Sequence, residues 1–206
     1  MPPIIIDCQQ NDETWFDVRR GTPTASQFFR IITPTGKPVS ESVRLKYLDQ
    51  LSGEAVSGRS EEQFVSYRMK QAKAMEDESC EVYAMNHEDL DVYSVGFVFK
   101  DERRMFGCSP DRMVGENGIF ETKDAQFTVQ IPRLREGKMV QEHIPQVQGE
   151  IFCCEREWGD FQSYCSGLPV LCIRNYRDEK YIKLLSEELE RFCMDLAILI
   201  RKIRGG

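Results

Sequence analysis

Apolar residues along this chain follow two alternating rhythms. A spacing of three to four residues marks the helices. Val43, Tyr47, Leu48 and Leu51 share one face of a helix expected over 42–51. Phe64, Met69, Ala72 and Met75 supply apolar positions on a longer helix from 61 to about 84. The same rhythm returns near 129–135, over 143–155 and from about 179 to 203. A loop with Gly21, Pro23 and Thr24 opens another apolar helix over 25–32, where Thr24 or Ser26 suits the N-cap.

Between the helical stretches the period shortens to two, and β-branched and aromatic residues interleave with polar ones. That pattern predicts strands at 92–99, 104–108, 112–115, 119–123, 161–165 and 170–174. Glu116-Asn117-Gly118 carries the Asn-Gly signal of a hairpin turn between two of them. The order is helices, an antiparallel run of strands, helices, two strands and a helix. It predicts an α/β (α+β) domain in three layers, with a mixed central sheet flanked by helices. With 206 residues the chain is expected to form a single domain, 1–206.

Composition narrows the function. No apolar run approaches the ~20 residues of a membrane helix, since 194–200 is broken by Asp195 and closed by Arg201 and Lys202. The N-terminal Pro2-Pro3-Ile4-Ile5-Ile6-Asp7 has no basic n-region, so a cytoplasmic setting with reduced thiols is expected. The eight cysteines form no C-x-x-C pair and the two histidines, His87 and His143, lie far apart, which disfavours zinc. Cys108, Cys153 and Cys154 are expected as buried small hydrophobes and Trp15 as a core residue. Net charge is −7, and 76–91 holds seven acids and no Lys or Arg. Any nucleic-acid contact must therefore use a local basic groove. Gly36-Lys37 lacks the rest of a phosphate-binding G-x-x-x-x-G-K-[ST] loop, so no ATP chemistry is expected.

Chemistry concentrates in Cys108-Ser109-Pro110-Asp111, followed by Glu121-Thr122-Lys123. Glu121 and Lys123 are two apart on one strand, so their side chains share a face. Asp111 opens the opposing strand and can lie within about 5 Å across it. Two carboxylates ~4 Å apart repel by ~4 kcal/mol at an effective dielectric of 20, so a cation must hold them. Lys123 alone makes a salt-bridged hairpin. Hard oxygen ligands on rigid strands equally suit Mg²⁺ or Mn²⁺.

Pro110-Asp111 followed by Glu121-Thr122-Lys123 across a hairpin resembles the PD-(D/E)xK nucleases, with their restriction-endonuclease-like fold. Trp15-Phe16-Asp17-Val18-Arg19, Gly21, Thr24-Ala25-Ser26, Met75-Glu76, Cys108-Ser109-Pro110-Asp111 and Gln146-Val147-Gln148 are similar, in order and spacing, to lambda exonuclease and the YqaJ-like viral recombinases. The resemblance implies that Asp111, Glu121 and the Thr122 carbonyl hold Mg²⁺, and that Asp111 and Glu76 help with a second ion. It implies that Lys123 orients or deprotonates the attacking water, that Gln148 positions that water or Lys123, and that Arg19, Ser26 and Ser109 grip a 5′-phosphate. Further implied are a homotrimeric ring on double-stranded DNA ends, 5′-to-3′ digestion, and a phage single-strand annealing protein that takes the 3′ strand in a bacterial host. The cysteine spacing 153, 154, 165 and 172 lacks the tight group of iron–sulfur relatives, so no cluster is expected. The rival expectations are a structure-specific or restriction-like endonuclease and a non-catalytic DNA-end-binding module.

Overall fold

The computed structural model describes residues 2–60 and 67–205, with only the backbone given for 67–72. The expected start of the long helix at Glu61, with Phe64, lies outside the described residues.

A five-stranded mixed sheet forms the centre, in the order β2 (Val92–Tyr93), β5 (Arg112–Val114), β6 (Gly118–Asp124), β7 (Trp158–Tyr164) and β8 (Leu171–Tyr176). Only β6 and β7 run parallel, in register from Gly118↔Trp158 to Asp124↔Tyr164. A parallel pair needs a long crossover, and here it carries α4 (Phe127–Glu136) and α5 (Ile144–Cys153). A small antiparallel sheet, β1 (Ile4–Ile6), β3 (Phe97–Phe99) and β4 (Gly107–Cys108), lies beside it.

The helices cover both faces. On one, α5, α2 (Glu41–Ser57) and α6 (Glu179–Ile203) share a core with the sheet that includes Phe28, Tyr47, Ile119, Val147, Phe161, Leu189 and Phe192. On the other, α3 (Tyr67–Asn86) packs Cys80 and Tyr83 on Val114 and Phe120, with the Tyr83 and Phe120 rings stacked 3.9 Å apart. This is the three-layer arrangement expected. Trp15, on α1 (Glu13–Arg19), is buried with Phe97 and Phe99 against the small sheet. Among the described residues no helix is long and apolar enough to cross a membrane.

The elements differ from expectation where tertiary contacts override local pattern. The single strand expected over 92–99 divides into β2 and β3, which join different sheets. Gly96 marks the break: a Cβ there would meet the Cys8 carbonyl oxygen at 2.4 Å, so the N-terminal arm crosses where the strand would continue. The helix expected over 25–32 is a six-residue 3₁₀ helix, Ala25–Arg30, and the Thr24 side chain makes no capping bond. The hairpin turn falls at Gly115, Glu116 and Asn117, and Gly118 already pairs with Val114.

One close approach sets the position of the 3₁₀ helix. A Cβ on Gly149 of α5 would stand 2.5 Å from the buried Phe28 ring. Gly149→Ala should therefore destabilise. Overpacking costs about 1–3 kcal/mol and exceeds the ~1 kcal/mol that alanine adds in a helix interior. At Gly53 of α2, where no atom lies within 4 Å of the added carbon, the same change should stabilise by about 0.5–1 kcal/mol. Urea midpoints of the two variants should shift in opposite directions.

Candidate active site

Strand β6 separates two kinds of side chain by its pleat. Phe120 and Thr122 face α3, whereas Ile119, Glu121 and Lys123 face α5. Asp111 sits one residue before β5. The pairing Arg112↔Phe120 continues outward to set Asp111 across from Glu121. The backbone N–H of Thr122 donates to Asp111 Oδ2 at 2.7 Å, which locks that carboxylate against the second strand. Lys123 Nζ donates to Glu121 Oε1. The four residues expected to converge, Asp111, Glu121, Thr122 and Lys123, do so.

The site is buried and crowded with acids. Asp111 is 9% exposed and Glu121 2%. Burial, then the charges of Glu121 and Glu76, push the Asp111 carboxyl well above the usual carboxylate range. Burial works against the Lys123 charge, but Glu121 and Asp111 outweigh it and hold the ammonium's proton more tightly than usual. Glu121 Oε2 is buried and accepts no hydrogen bond. A buried carboxylate oxygen without a donor costs about 1–3 kcal/mol or more, and a cation would remove that cost. Among the described residues no three carboxylates, imidazoles or thiolates form a metal cluster. The donor set is two carboxylates and the Thr122 carbonyl. That set fits Mg²⁺, which keeps several waters and takes one or two carboxylates plus substrate phosphate.

Glu76 reaches the edge of this group by way of α3. Three residues along, the hydroxyls of Ser79 and Thr122 share a hydrogen bond of 2.5 Å, and Gln162 Nε2 donates to Ser79 Oγ at 2.8 Å. This bolt fixes the helix on β6 with Glu76 close enough to raise Asp111. The Glu76 carboxylate itself is bonded to Lys73 Nζ at 2.7 Å.

Gln148 does not reach the site. Its amide nitrogen donates to the Tyr176 carbonyl at 2.9 Å and its oxygen accepts from the Asp178 N–H at 3.0 Å, so it ties α5 to the start of α6. The glutamine of the site is Gln146, whose Nε2 lies 2.5 Å from Glu121 Oε1 and 2.9 Å from Glu150 Oε1. Residues 146 and 148 flank Val147 at about 100° on either side, so the motif alone does not say which one turns toward β6. Glu150 also belongs to this group, buried and bonded to Gln146. Its spacing is the sequence signal: four residues after Gln146, it shares that face of the helix.

The three residues expected at a terminal phosphate gather along one side. Trp15 Nε1 donates to Ser109 Oγ at 2.8 Å, and the Arg19 guanidinium lies 4.0 Å over the Trp15 ring. The Ser26 hydroxyl bonds Thr24 Oγ1 at 3.3 Å, and Thr24 bridges to Gly107 two residues before Ser109. Because the 3₁₀ helix has only six residues, its dipole adds little to anion binding there. A cavity of about 700 Å³ lies between Ser26 and Lys123. Ser26, Gln27, Phe29, Thr33 and Pro34 line one side, and Lys123, Glu142, His143 and Gln146 the other. His143 stacks on Phe161 with ring centroids 4.9 Å apart, and burial lowers its pKa to about 4, so it is neutral at physiological pH.

The model of the YqaJ-like viral recombinase domain matches residues 14–157. Among solved structures, the alkaline exonuclease LHK-Exo from Laribacter hongkongensis is 27% identical, with a TM-score of 0.83 over 94% of this chain and 96% of that one. A structure of LHK-Exo in complex with dAMP is 28% identical over the same shares, with a TM-score of 0.82. A phage-related exonuclease from Haemophilus somnus 129PT shares the fold at 13% identity and a TM-score of 0.67, over 88% of this chain and 96% of that one. Among curated proteins no match was found. The matched segment holds Asp111, Glu121 and Lys123 and most of the chain, and the protein belongs to the YqaJ-like viral recombinase domain family.

Proposed function

We propose that this protein is a Mg²⁺-dependent, ATP-independent exonuclease that digests double-stranded DNA from 5′ ends, releases 5′-mononucleotides and leaves a 3′ strand for annealing. The observation that carries this reading is the meeting of Asp111, Glu121 and Lys123 at the mouth of one hairpin. The solved LHK-Exo structures, an alkaline exonuclease and its complex with dAMP, support it.

Asp111, Glu121 and the Thr122 carbonyl would hold the divalent cation, with Glu76 released from Lys73 to assist at a second ion. Bound there, the cation supplies charge stabilisation of the phosphoryl oxygens and acidifies water. Lys123 keeps the nucleophile in place at Nζ and takes its proton once the two carboxylates are engaged elsewhere. Water adds to phosphorus as the P–O3′ bond breaks. Gln146, in the role expected for Gln148, presents its amide beside Lys123. Arg19, Ser109 and Ser26 would hold the terminal 5′-phosphate, the guanidinium by charge-assisted hydrogen bonds. A homotrimeric ring would let basic side chains line a channel while the acids of 77–91 face outward. The 3′ strand would pass to a phage annealing protein in a bacterial host.

Linear duplexes labelled at either end, with and without a 5′-phosphate, test the polarity directly. Mononucleotides should appear from the 5′ ends with Mg²⁺ alone, and closed circular DNA should stay intact. Nicking of circles would point to an endonuclease instead, and no release to a DNA-end-binding module. Lys123→Ala should reduce release by at least 10²-fold with duplex affinity nearly unchanged. Arg19→Ala should lose the preference for 5′-phosphate.

Stability should respond to cation and pH together. Asp111 has a folded pKa above its ordinary 3.8, so its contribution is present below that value and lost as pH rises through the folded value. His143 works the other way. Its pKa is lowered from 6.5 to about 4, so it costs stability only as pH falls below 6.5. Between about pH 7 and 9 the carboxylates therefore dominate. Mg²⁺ or Mn²⁺ should raise Tm over that range. Asp111→Asn should raise the Tm of the metal-free protein and abolish the cation's increment, as read by thermal melts.

A further inference from the structure

Glu150 is an anomaly in the core. It is 1% exposed, sits on a helix buried from Pro145 to Cys153, and its Oε2 accepts no hydrogen bond. Burial first, and then the charge of Glu121, raise its pKa well above the ordinary range. Among the described residues no cation bonds it directly, and its hydrogen-bond partner is Gln146 Nε2 at 2.9 Å. An aliphatic side chain would fill the same space beside Val147 and Ile151 at lower cost.

We infer that Glu150 is a positioning residue, which fixes the side-chain amide of Gln146 so that its nitrogen faces Glu121 and its oxygen is presented to the cavity beside Lys123. The geometry rests on counting donors. An amide nitrogen carries two N–H groups, and an amide oxygen carries none. Gln146 Nε2 meets a carboxylate oxygen on each of two sides, Glu121 at 2.5 Å and Glu150 at 2.9 Å. Turning the amide over would set its oxygen against both acids at once. Glu121 alone constrains one N–H and leaves the amide plane free to rotate about that bond, and Glu150 removes this freedom. Gln146 and Lys123 line the same cavity. What Glu150 sets is therefore the direction of the polar group that faces substrate there. Glu150 itself touches neither substrate nor cation.

This inference rests on the nuclease reading, and the experiment separates the two. Release of nucleotides from a linear 5′-phosphorylated duplex in Mg²⁺ is measured for wild type, Glu150→Met, Glu150→Gln, Gln146→Met and the Glu150→Met/Gln146→Met double variant. An inactive wild type overturns the nuclease reading. With an active wild type, Glu150→Met should lower kcat 10- to 100-fold, with KM for duplex within about 2-fold. Glu150→Gln, whose amide oxygen still accepts from Gln146, should recover most of that loss. In the Gln146→Met background, Glu150→Met should cost less than about 2-fold further, because the group it positions is gone. Additive losses, or an active Glu150→Met enzyme, would overturn the inference. If Glu150→Met does not fold, the side-chain amide protons of Gln146 in the wild-type protein decide by NMR. Two slowly exchanging resonances support the inference, and one rapidly exchanging pair overturns it.

Discussion

Carboxylates gathered where water is scarce are the constraint on which this molecule turns. Asp111, Glu121 and Glu150 lie within mutual electrostatic reach in the core, with Glu76 at the edge. Lys123 is the cation bonded to Glu121, and it offsets only part of the repulsion. Two of the four inner oxygens of Glu121 and Glu150 accept no hydrogen bond. A fold that optimised only its own stability would remove such a cluster, since buried ionic groups are commonly replaced by apolar ones at no loss. The divalent cation and phosphodiester proposed for this site would complete the arrangement.

Much of the scaffold can be understood as holding those charges together. The hairpin of β5 and β6 supplies Asp111 and Glu121 across one register, and the Thr122 N–H fixes one of them. Thr122 reaches with its side chain to the other face, where Ser79 and Gln162 bind α3. A single residue thus bears both the carbonyl proposed as a cation ligand and the anchor of the helix that carries Glu76. On the near face α5 runs so close to the 3₁₀ helix that glycine is required at 149. That contact closes the cavity wall opposite Lys123 and brings Ser26 within the same space. Asp160, bound by Tyr83 and twice by Arg174, shows by contrast what a satisfied buried carboxylate looks like in this chain.

How far the sequence alone reached follows from the same physics. Helix α6, with its long apolar stripe and the Asp178 cap, lies at 179–203 as its periodicity predicts. The hairpin and its three charged residues were legible because strand alternation assigns faces without knowledge of the rest. The division of 92–99 between two sheets was not, since the arm that crosses at Gly96 does so at Cys8, 88 residues earlier in sequence. The choice between Gln146 and Gln148 is hidden from the sequence for a comparable reason. Helical spacing sets both beside Val147, and only the docking of α5 on β6 shows which side faces the acids. Glu150 was hidden by composition, because in a chain with 34 acidic residues one more glutamate on a helix suggests only a solvated surface. Trp15 was correctly placed in the core, but its bond to Ser109 depends on a contact between distant segments.

The central claim is that Asp111 and Glu121 share a divalent cation with the Thr122 carbonyl. Anomalous diffraction from crystals soaked in Mn²⁺ tests it most directly. A manganese peak is expected within coordination distance of both carboxylates and of that carbonyl, with the Lys123 ammonium moved off Glu121. Density that is empty there, with Lys123 still on Glu121 and manganese bound only among the surface acids, would contradict it.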